Sequence, residues 1–271
     1  MNNHSQGTLI RIAGPVVVAE NLQNVSMYDV VYVGRLRLVG EVIRLAGDLA
    51  TIQVYEDTGG LRVGEPVFAS GNPFTVELGP GLLGAIFDGI QRPLPILRQQ
   101  QGDFITRGGT APALDRHKRW TFEPRVKRGD SLMGGDLVGI VREKPHLDHR
   151  ILAPPEVVGD VERIESGEFT VEETIAVVRD KRKSQPRQWD LTMMQRWPTR
   201  HPRPHWGKLD PTEPLITGQR VLDTFFPLPK GGAAIVPGGF GTGKTVLEQT
   251  LSKWADTDVI VYVGCGERGN E

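Results

Sequence analysis

A glycine-rich stretch, Gly238-Gly239-Phe240-Gly241-Thr242-Gly243-Lys244-Thr245, constrains the fold of this chain more than any other feature. It follows a short apolar run over residues 233–236, and apolar side chains at helical spacing follow it over residues 246–254. A second apolar run covers residues 258–263. Short, continuous apolar runs predict strands buried on both faces. Strand, loop, helix and strand form the context in which such a motif binds phosphate.

Each residue type in this loop has a physical role in holding phosphate. Glycines let the main chain wrap closely and direct successive N–H groups at phosphate oxygens. The helix that follows adds its unsatisfied N–H groups and the positive end of its dipole. Lys244 brings a positive charge to the β and γ phosphates, and the Thr245 hydroxyl is suited to Mg²⁺. A lysine at position 244 disfavours a dinucleotide fingerprint. The predicted nucleotide-binding residues are Gly238, Gly239, Phe240, Gly241, Thr242, Gly243, Lys244, Thr245 and Val246.

The loop after the second apolar run is predicted to lie beside the same phosphates. A crossover this short makes the two strands parallel, so their carboxyl ends share one edge of the sheet, where ligands bind. Glu267 could then orient an attacking water, and Arg268 could steady phosphate charge. An ordinary surface ion pair between Glu267 and Arg268 explains the same residues, and topology alone leaves both interpretations open.

Composition excludes several classes of protein. The chain has 32 Lys and Arg against 33 Asp and Glu, so no global field attracts nucleic acid or an anionic membrane. A single cysteine, Cys265, excludes an internal disulfide and suits a reducing compartment. Neither a secretory signal nor a membrane-spanning apolar stretch is evident. We expect a cytoplasmic protein that reaches membranes only through partners.

The sequence before the glycine-rich motif predicts turn-rich β structure. Residues 8–72 predict a small antiparallel barrel, with five Arg, no Lys and seven acidic residues, a composition that disfavours nucleic-acid binding. A helix is predicted after Pro80-Gly81 and is expected to stop at Pro93 and Pro95. Two similar Gly-Asp turns, at 129–130 and 159–160, are similar to the hairpins of lipoyl-carrier barrel sandwiches. The carrier lysine is absent, so we interpret residues 111–187 as a structural insert.

The stretch from 179 to 208 carries nine Lys and Arg, two Asp and three tryptophans. This pattern fits a nucleic-acid patch, but its prolines favour a solvated linker with packed tryptophans. The histidine pairs His146/His149 and His201/His205 have spacings compatible with a metal. No cysteine or carboxylate completes either set, so we interpret them as surface histidines.

The predicted fold is a multidomain combination of α/β and β structure. It comprises an N-terminal β-barrel, a barrel-sandwich-like β insert and the start of a P-loop (RecA-type) parallel α/β domain. The predicted divisions are a barrel over 1–72, a connecting segment of the nucleotide-binding domain over 73–110, the β-rich insert over 111–187, and a linker with the first half of the nucleotide-binding domain over 188–271.

Several longer motifs carry a family resemblance. Among them are Gln53-Val54-Tyr55-Glu56-Asp57-Thr58, Phe87-Asp88-Gly89-Ile90-Gln91-Arg92-Pro93-Leu94, Pro214-Leu215-Ile216-Thr217-Gly218-Gln219-Arg220-Val221-Leu222-Asp223, and Val261 through Glu271. With the P-loop, they resemble the catalytic A subunits of V-type and archaeal-type (A/V) rotary ATPases. The insert at 111–187 points the same way, because the related F-type catalytic subunits lack it.

This resemblance implies a function and a set of partners. Lys244 would bind the phosphates of ATP or ADP, Thr245 would bind Mg²⁺, Glu267 would activate water, and Arg268 would contact phosphate. B-type subunits would alternate with this one in an A3B3 ring, joined to central and peripheral stalks and to a membrane sector that moves protons or sodium ions. A neighbouring B subunit would supply an arginine worth roughly 10³ to 10⁵ in rate.

Two other functions stay open at this stage. An RNA-dependent hexameric translocase shares the nucleotide-binding core, although it would need a basic, aromatic barrel face. An inert assembly module is the second alternative. The family's sequences continue past the position of Glu271 into an aspartate strand, an adenine pocket and a helical domain. We therefore expect a C-terminally truncated form that, as residues 1–271 alone, hydrolyses no ATP.

Overall fold

The computed structural model describes residues 6–145, 147–180, 186–205 and 207–266. The chain forms two compact units, Met1–Arg203 and Pro204–Glu271, which are described separately below. In the described part of the chain no helix is long and apolar enough to cross a membrane.

The first unit begins with a closed antiparallel β-barrel. Side chains that alternate along its strands fill the interior, and Leu9, Val17 and Ile52 are completely buried. Closure pairs every strand on both sides and so removes the exposed edges that invite aggregation. This confirms the barrel predicted from the β-branched runs. Its strands follow the order β1-β2-β5-β4-β3-β6 and are β1 (Gln6–Ala13), β2 (Val16–Glu20), β3 (Asp29–Val33), β4 (Leu38–Ala46), β5 (Leu49–Val54) and β6 (Pro66–Pro73).

The segment after the barrel contains strand β7 (Thr75–Leu78) and helix α1 (Leu94–Gln101). The prediction of a helix after Pro80-Gly81 is wrong, because residues 82–91 form turns instead. The Asp88 carboxylate fixes one of these turns by accepting the backbone amides of Ile90 at 3.1 Å and Arg92 at 2.8 Å. Such local side-chain bonds compete with helix formation.

The two prolines expected to stop a helix begin one. Pro93 is the N-cap residue of α1, and Pro95 lies in its first turn. Proline is favoured at this position because its missing N–H would have no partner in the first turn of a helix. The apolar spacing over 82–90 was therefore outweighed by turn chemistry, and the prolines mark the start of the helix.

Two four-stranded antiparallel sheets form a barrel sandwich. Its core includes Phe122, Val161 and Ile175. Of the two predicted Gly-Asp turns, the one at 129–130 lies just before β9 (Ser131–Met133). The second is wrong, because Gly159 and Asp160 lie within strand β12 (Val158–Ile164), which pairs with β9. One sheet has the order β11-β10-β8-β13 and the other β15-β14-β12-β9, with β8 (Trp120–Pro124), β9 (Ser131–Met133), β10 (Leu137–Lys144), β11 (Leu147–Leu152), β12 (Val158–Ile164), β13 (Gly167–Phe169), β14 (Ala176–Asp180) and β15 (Arg187–Leu191).

The segment expected to be a solvated linker instead contains two strands. Strand β15 completes the second sheet of the sandwich, and β16 (Gln195–Pro198) pairs with β7. Arginine side chains cover two of its tryptophans, since Arg187 stacks over Trp189 and Arg203 over Trp197. These stacks give two arginines and two tryptophans of this segment a structural role. The domain boundaries derived from the sequence stay predictions.

Buried charges tie the barrel to later parts of the first unit. Arg92 donates to Asp88 at 2.6 Å, to Glu56 at 3.4 Å and to the carbonyl oxygen of Gly109 at 2.8 Å. Its side chain is 10% exposed, against 6% for Glu56 and 15% for Asp88. Glu56 also accepts the amide of Gly108 at 2.8 Å. The cluster therefore fastens the 88–109 segment to the barrel.

The buried carboxylate of Glu41, which is 2% exposed, makes a second link between the barrel and a later segment of the first unit. Arg200 donates to both of its oxygens, one of them at 2.9 Å, and the Tyr55 hydroxyl donates at 2.9 Å. The bond from Arg200 holds the pKa of Glu41 below its usual value despite burial. Burial and the bond to Glu41 raise the pKa of Tyr55 to about 12.

The second unit contains β17 (Pro214–Leu215), α2 (Arg220–Phe225), β18 (Leu228–Pro229) and α3 (Lys244–Trp254). Helix α3 confirms the helix that was predicted from the apolar spacing after the glycine-rich motif. The strands predicted over 233–236 and 258–263 are not formed, and Ile235 and Val261 are exposed. Parallel strands require paired neighbours, and within 207–266 the only strand pair is β17 with β18.

We expect Arg92→Met to lower the free energy of unfolding by about 3 kcal/mol, because it leaves two carboxylates buried without their cation. Urea unfolding followed by tryptophan fluorescence measures this change. Arg98→Met is the matched control, since it breaks an ion pair with Asp103 in which both side chains are more than 70% exposed. It should change stability by less than about 1 kcal/mol. Equal losses in the two variants would contradict a structural role for the buried cluster.

Candidate nucleotide-binding site

The glycine-rich loop leads directly into the N-terminus of α3. Gly243 is the N-cap residue of this helix, with φ 85° and ψ 18°, and Gly241 has φ 79°. Residues other than glycine rarely adopt this left-handed backbone conformation, which explains the glycines at both positions. No side chain caps α3. The amides of its first turn are therefore available to an anion.

The Lys244 ammonium group lies against the loop. It donates hydrogen bonds to the carbonyl oxygens of Gly238 and Gly239, the second at 3.0 Å. The Thr242 hydroxyl donates to the Gly239 carbonyl oxygen at 2.9 Å and closes the turn. A carbonyl oxygen is a weaker partner for an ammonium group than an ionised phosphate oxygen is. A phosphate at this position would therefore compete well for Lys244.

Val246 lies in the first turn of α3, in line with the predicted helix over 246–254, and Thr245 lies in the same turn. The Thr245 hydroxyl fits a ligand of Mg²⁺, a cation that prefers oxygen donors and keeps phosphate oxygens or water around it. No cluster of three or more metal-ligating side chains occurs in the residues that the structure describes.

Several contacts within the second unit hold α3 in position. Gly218 has φ 79°, and a Cβ atom added there would lie 2.9 Å from the Cβ atom of Trp254 at the end of α3. The amide of Asp256 donates to the carbonyl oxygen of Ile216 at 3.0 Å, and Lys230 lies 3.4 Å from the Asp256 carboxylate. The segment before α2 therefore supports the far end of the P-loop helix.

Sequence reasoning missed the role of Thr217 and Asp223 in this support. The buried Thr217 donates to the Asp223 carboxylate from its hydroxyl at 2.6 Å and from its amide at 3.0 Å. These bonds, the hydroxyl bond first, hold the pKa of Asp223 below its ordinary value. Both residues belong to a motif that carried the family resemblance, but threonine and aspartate six positions apart gave no local signal of contact.

The remaining predicted site residues differ in outcome. Glu267 and Arg268 lie outside the described residues, so their roles stay predictions.

Of the histidines with metal-compatible spacing, His146 also lies outside the described residues. The interpretation of surface histidines does not hold for His149, which is half-buried and lies 3.1 Å from Glu143. Burial alone raises the pKa of Glu143, but bonds from His149 and from the Gly81 amide outweigh it and lower that pKa.

The fold and the loop together define a P-loop nucleotide-binding protein that carries an N-terminal barrel and a barrel sandwich. Residues 9–71 match the beta-barrel domain of the ATP synthase alpha/beta family, residues 111–200 match the ATPsynthase alpha/beta subunit barrel-sandwich domain, and residues 218–271 match the family's nucleotide-binding domain. The chain belongs to the ATP synthase alpha/beta family. These matches confirm the predicted fold class, including the start of a nucleotide-binding domain.

Curated relatives narrow the resemblance to one type of subunit. The chain is 57% identical to the second A-type ATP synthase A subunit of Methanospirillum hungatei JF-1, over 98% of its length and 44% of the relative's. It is 56% identical to the A-type ATP synthase A subunit of Methanopyrus kandleri, over 100% of its length and 45% of the relative's. It is 55% identical to the V-type ATP synthase alpha chain of Acetivibrio thermocellus, over 98% and 45%. The chain thus spans less than half the length of these relatives. Neither the translocase nor the assembly-module alternative is favoured by them.

We expect Gly218→Ala to loosen α3, because alanine at a positive φ is strained by about 1–2 kcal/mol and its Cβ atom meets Trp254. Amide hydrogen exchange should then accelerate about tenfold along α3, since 1.4 kcal/mol corresponds to a factor of ten. Gly207→Ala is the control, because its added Cβ atom would meet no atom within 4 Å and its φ is not positive. Unchanged exchange in Gly218→Ala would show that α3 does not depend on this contact.

Proposed function

We propose that this chain provides the nucleotide site of a catalytic subunit in a rotary, ion-translocating ATPase or ATP synthase. The observation that carries the proposal is the P-loop itself, in which Lys244 lies across the mouth of a loop that ends in the uncapped N-terminus of α3. Loop amides, helix dipole and ammonium group then act on one anion. The similarity to A-type and V-type ATP synthase subunits makes ATP and ADP the proposed substrates.

In this proposal, phosphate binding begins with an exchange of partners at Lys244. Its ammonium group leaves the carbonyl oxygens of Gly238 and Gly239 for the β and γ phosphates of ATP, a charge-assisted interaction. Main-chain amides of the loop and of the first turn of α3 donate to the same phosphates. A bound Mg²⁺, held by Thr245, supplies neutralisation of the phosphate charge.

Hydrolysis is assigned to residues after the second apolar run. Glu267 orients and polarises the attacking water, and Arg268 stabilises charge on the phosphate side, as the family resemblance implies. Positioned groups of this kind contribute chiefly by aligning water with the γ phosphate rather than by forming bonds to it. The same residues, operating in reverse, serve synthesis.

We further propose the assembly in which this site works. B-type subunits alternate with this subunit in an A3B3 ring, and one of them contributes the arginine that completes the site. Central and peripheral stalks connect the ring to a membrane sector that moves protons or sodium ions. The subunit is therefore cytoplasmic and peripheral to the membrane through the complex. It binds no nucleic acid in this scheme.

Lys244→Ala tests the phosphate role directly. We expect the variant to weaken ATP binding at least tenfold, because a hydrogen bond to a charged group contributes about 1.5–3 kcal/mol. Titration of the chain with Mg-ATP measures the affinity, and Lys208→Ala, which removes an exposed lysine outside the loop, serves as the control. Equal affinities for the two variants would remove the basis of the proposal.

Glu267→Gln separates chemistry from binding in the assembled enzyme. The substitution keeps the shape of the side chain and removes the charge that orients water. We expect Mg-ATP binding to be retained while turnover falls by about 10² or more. Steady-state turnover and nucleotide affinity should be measured on the same preparation. A parallel fall in both quantities would assign Glu267 a structural role instead.

A further inference from the structure

A cavity of about 560 Å³ opens on the first unit, beside the barrel. It lies between the turn that joins β3 to β4, the loop that joins β5 to β6, and the segment after α1. Three arginines, one from each of these segments, line it: Arg35, Arg62 and Arg107. We call this cavity the arginine pocket. Its volume falls within the range of small-molecule sites, about 300–1,000 Å³.

Close backbone contacts fix the walls of the arginine pocket. A Cβ atom added at Gly34 would lie 2.5 Å from a methyl group of Leu61, and one added at Gly108 would lie 2.3 Å from the Leu36 carbonyl oxygen. Both glycines also have positive φ angles. The segment after α1 therefore packs directly against the main chain of the turn, and the Leu61 side chain of the loop packs against the turn at Gly34. Glycine is required at both places, and the walls are formed before any ligand arrives.

The carboxylate of Glu65 adds to this frame. One of its oxygens accepts the amide of Arg35 at 3.0 Å, and the other accepts the amide of Arg62 at 3.0 Å. Arg107 donates to the carbonyl oxygen of Gly59. The main chain at two arginines and the side chain of the third are thus held in place. Pre-organisation of this kind lowers the entropy lost on binding a ligand.

The arginine pocket carries an excess of positive charge. Three guanidinium groups meet one carboxylate, and both oxygens of that carboxylate already accept main-chain amides. In the described part of the chain, none of the three arginines forms a side-chain ion pair within 4.0 Å. The net charge of the chain is −1, so this cluster is a local feature. Arginines without carboxylate partners favour an anionic ligand.

We propose that the arginine pocket is a second anion site, which binds a chain of linked phosphates. Guanidinium groups present planar, paired donors that match phosphate oxygens, and several adjacent phosphates can engage three of them at once. Apart from the arginines, Glu65 and three glycines, the lining consists of Leu36, Leu61 and Val63. With no aromatic ring in this lining to stack on a base, the phosphate chain is the recognised part. Free polyphosphate and the phosphates of a nucleotide share this chemistry.

The test uses the chain with Lys244→Ala, which weakens phosphate binding at the P-loop, in buffer without Mg²⁺. Calorimetric titration with sodium tripolyphosphate should show one site per chain, with an affinity that falls as salt rises. Adding Arg35→Gln and Arg62→Gln should weaken binding at least tenfold. The matched control adds Arg11→Gln and Arg44→Gln, two exposed arginines of the same barrel outside the pocket, and should change affinity less than twofold. Circular dichroism confirms folding, and the single Arg62→Gln variant should show a partial loss.

Three results would overturn the proposal. Absence of tripolyphosphate binding to the Lys244→Ala chain would remove the site. Equal losses in the pocket pair and the control pair would show unspecific attraction to surface charge. Equally tight binding of a hexaglutamate peptide would assign the pocket to carboxylates of a protein partner. Titration of the same chain with ATP distinguishes free polyphosphate from a nucleotide as the ligand. An affinity for ATP equal to that for tripolyphosphate supports recognition of the phosphate chain alone. An affinity for ATP ten times tighter would contradict that recognition, because the nucleoside would then contribute to binding.

Discussion

Backbone hydrogen bonding separates the parts of this chain that fold on their own contacts from those that do not. Six strands close the barrel, so each of them is paired on both sides. In the sandwich, every strand of the two four-stranded sheets is paired with at least one neighbour. Residues 233–236 and 258–263 have strand-forming composition but no strand beside them in the described structure. An apolar run without a neighbour cannot form a sheet, because unpaired backbone groups are costly to bury. The P-loop and α3 are nevertheless formed between these two runs.

Buried carboxylates give the first unit a connectivity that its strands alone would not provide. Glu56 joins the barrel to the segment around Arg92, and Glu41 joins it to Arg200, 159 positions later in the chain. Breaking such a pair leaves a charge in an environment with little water. These two carboxylates therefore link the barrel to segments that precede and follow the sandwich in the sequence.

Sequence reasoning succeeded where local patterns decide the structure. Runs of β-branched residues predicted the barrel, the Gly-Asp pairs indicated the sandwich, and the helical spacing over 246–254 predicted most of α3. It was wrong for residues 82–90, because the Asp88 turn is a side-chain effect that apolar spacing does not reveal. It was also wrong for 187–198, where pairing with the nearby β14 and with the distant β7 turns a proline-containing stretch into strands. The contact between Glu41 and Arg200 had no local signal at all.

The hydrogen bonds of Lys244 to the loop carbonyls also affect the entropy of ligand capture. A lysine side chain that moves freely in water carries about 2 kcal/mol of rotamer entropy, which binding would remove. Here the side chain is already confined by Gly238 and Gly239. Most of that loss therefore accompanies folding of the loop rather than arrival of the anion. In the proposed site, phosphate would meet a cation whose position is set in advance, and binding would need only a change of hydrogen-bond partner.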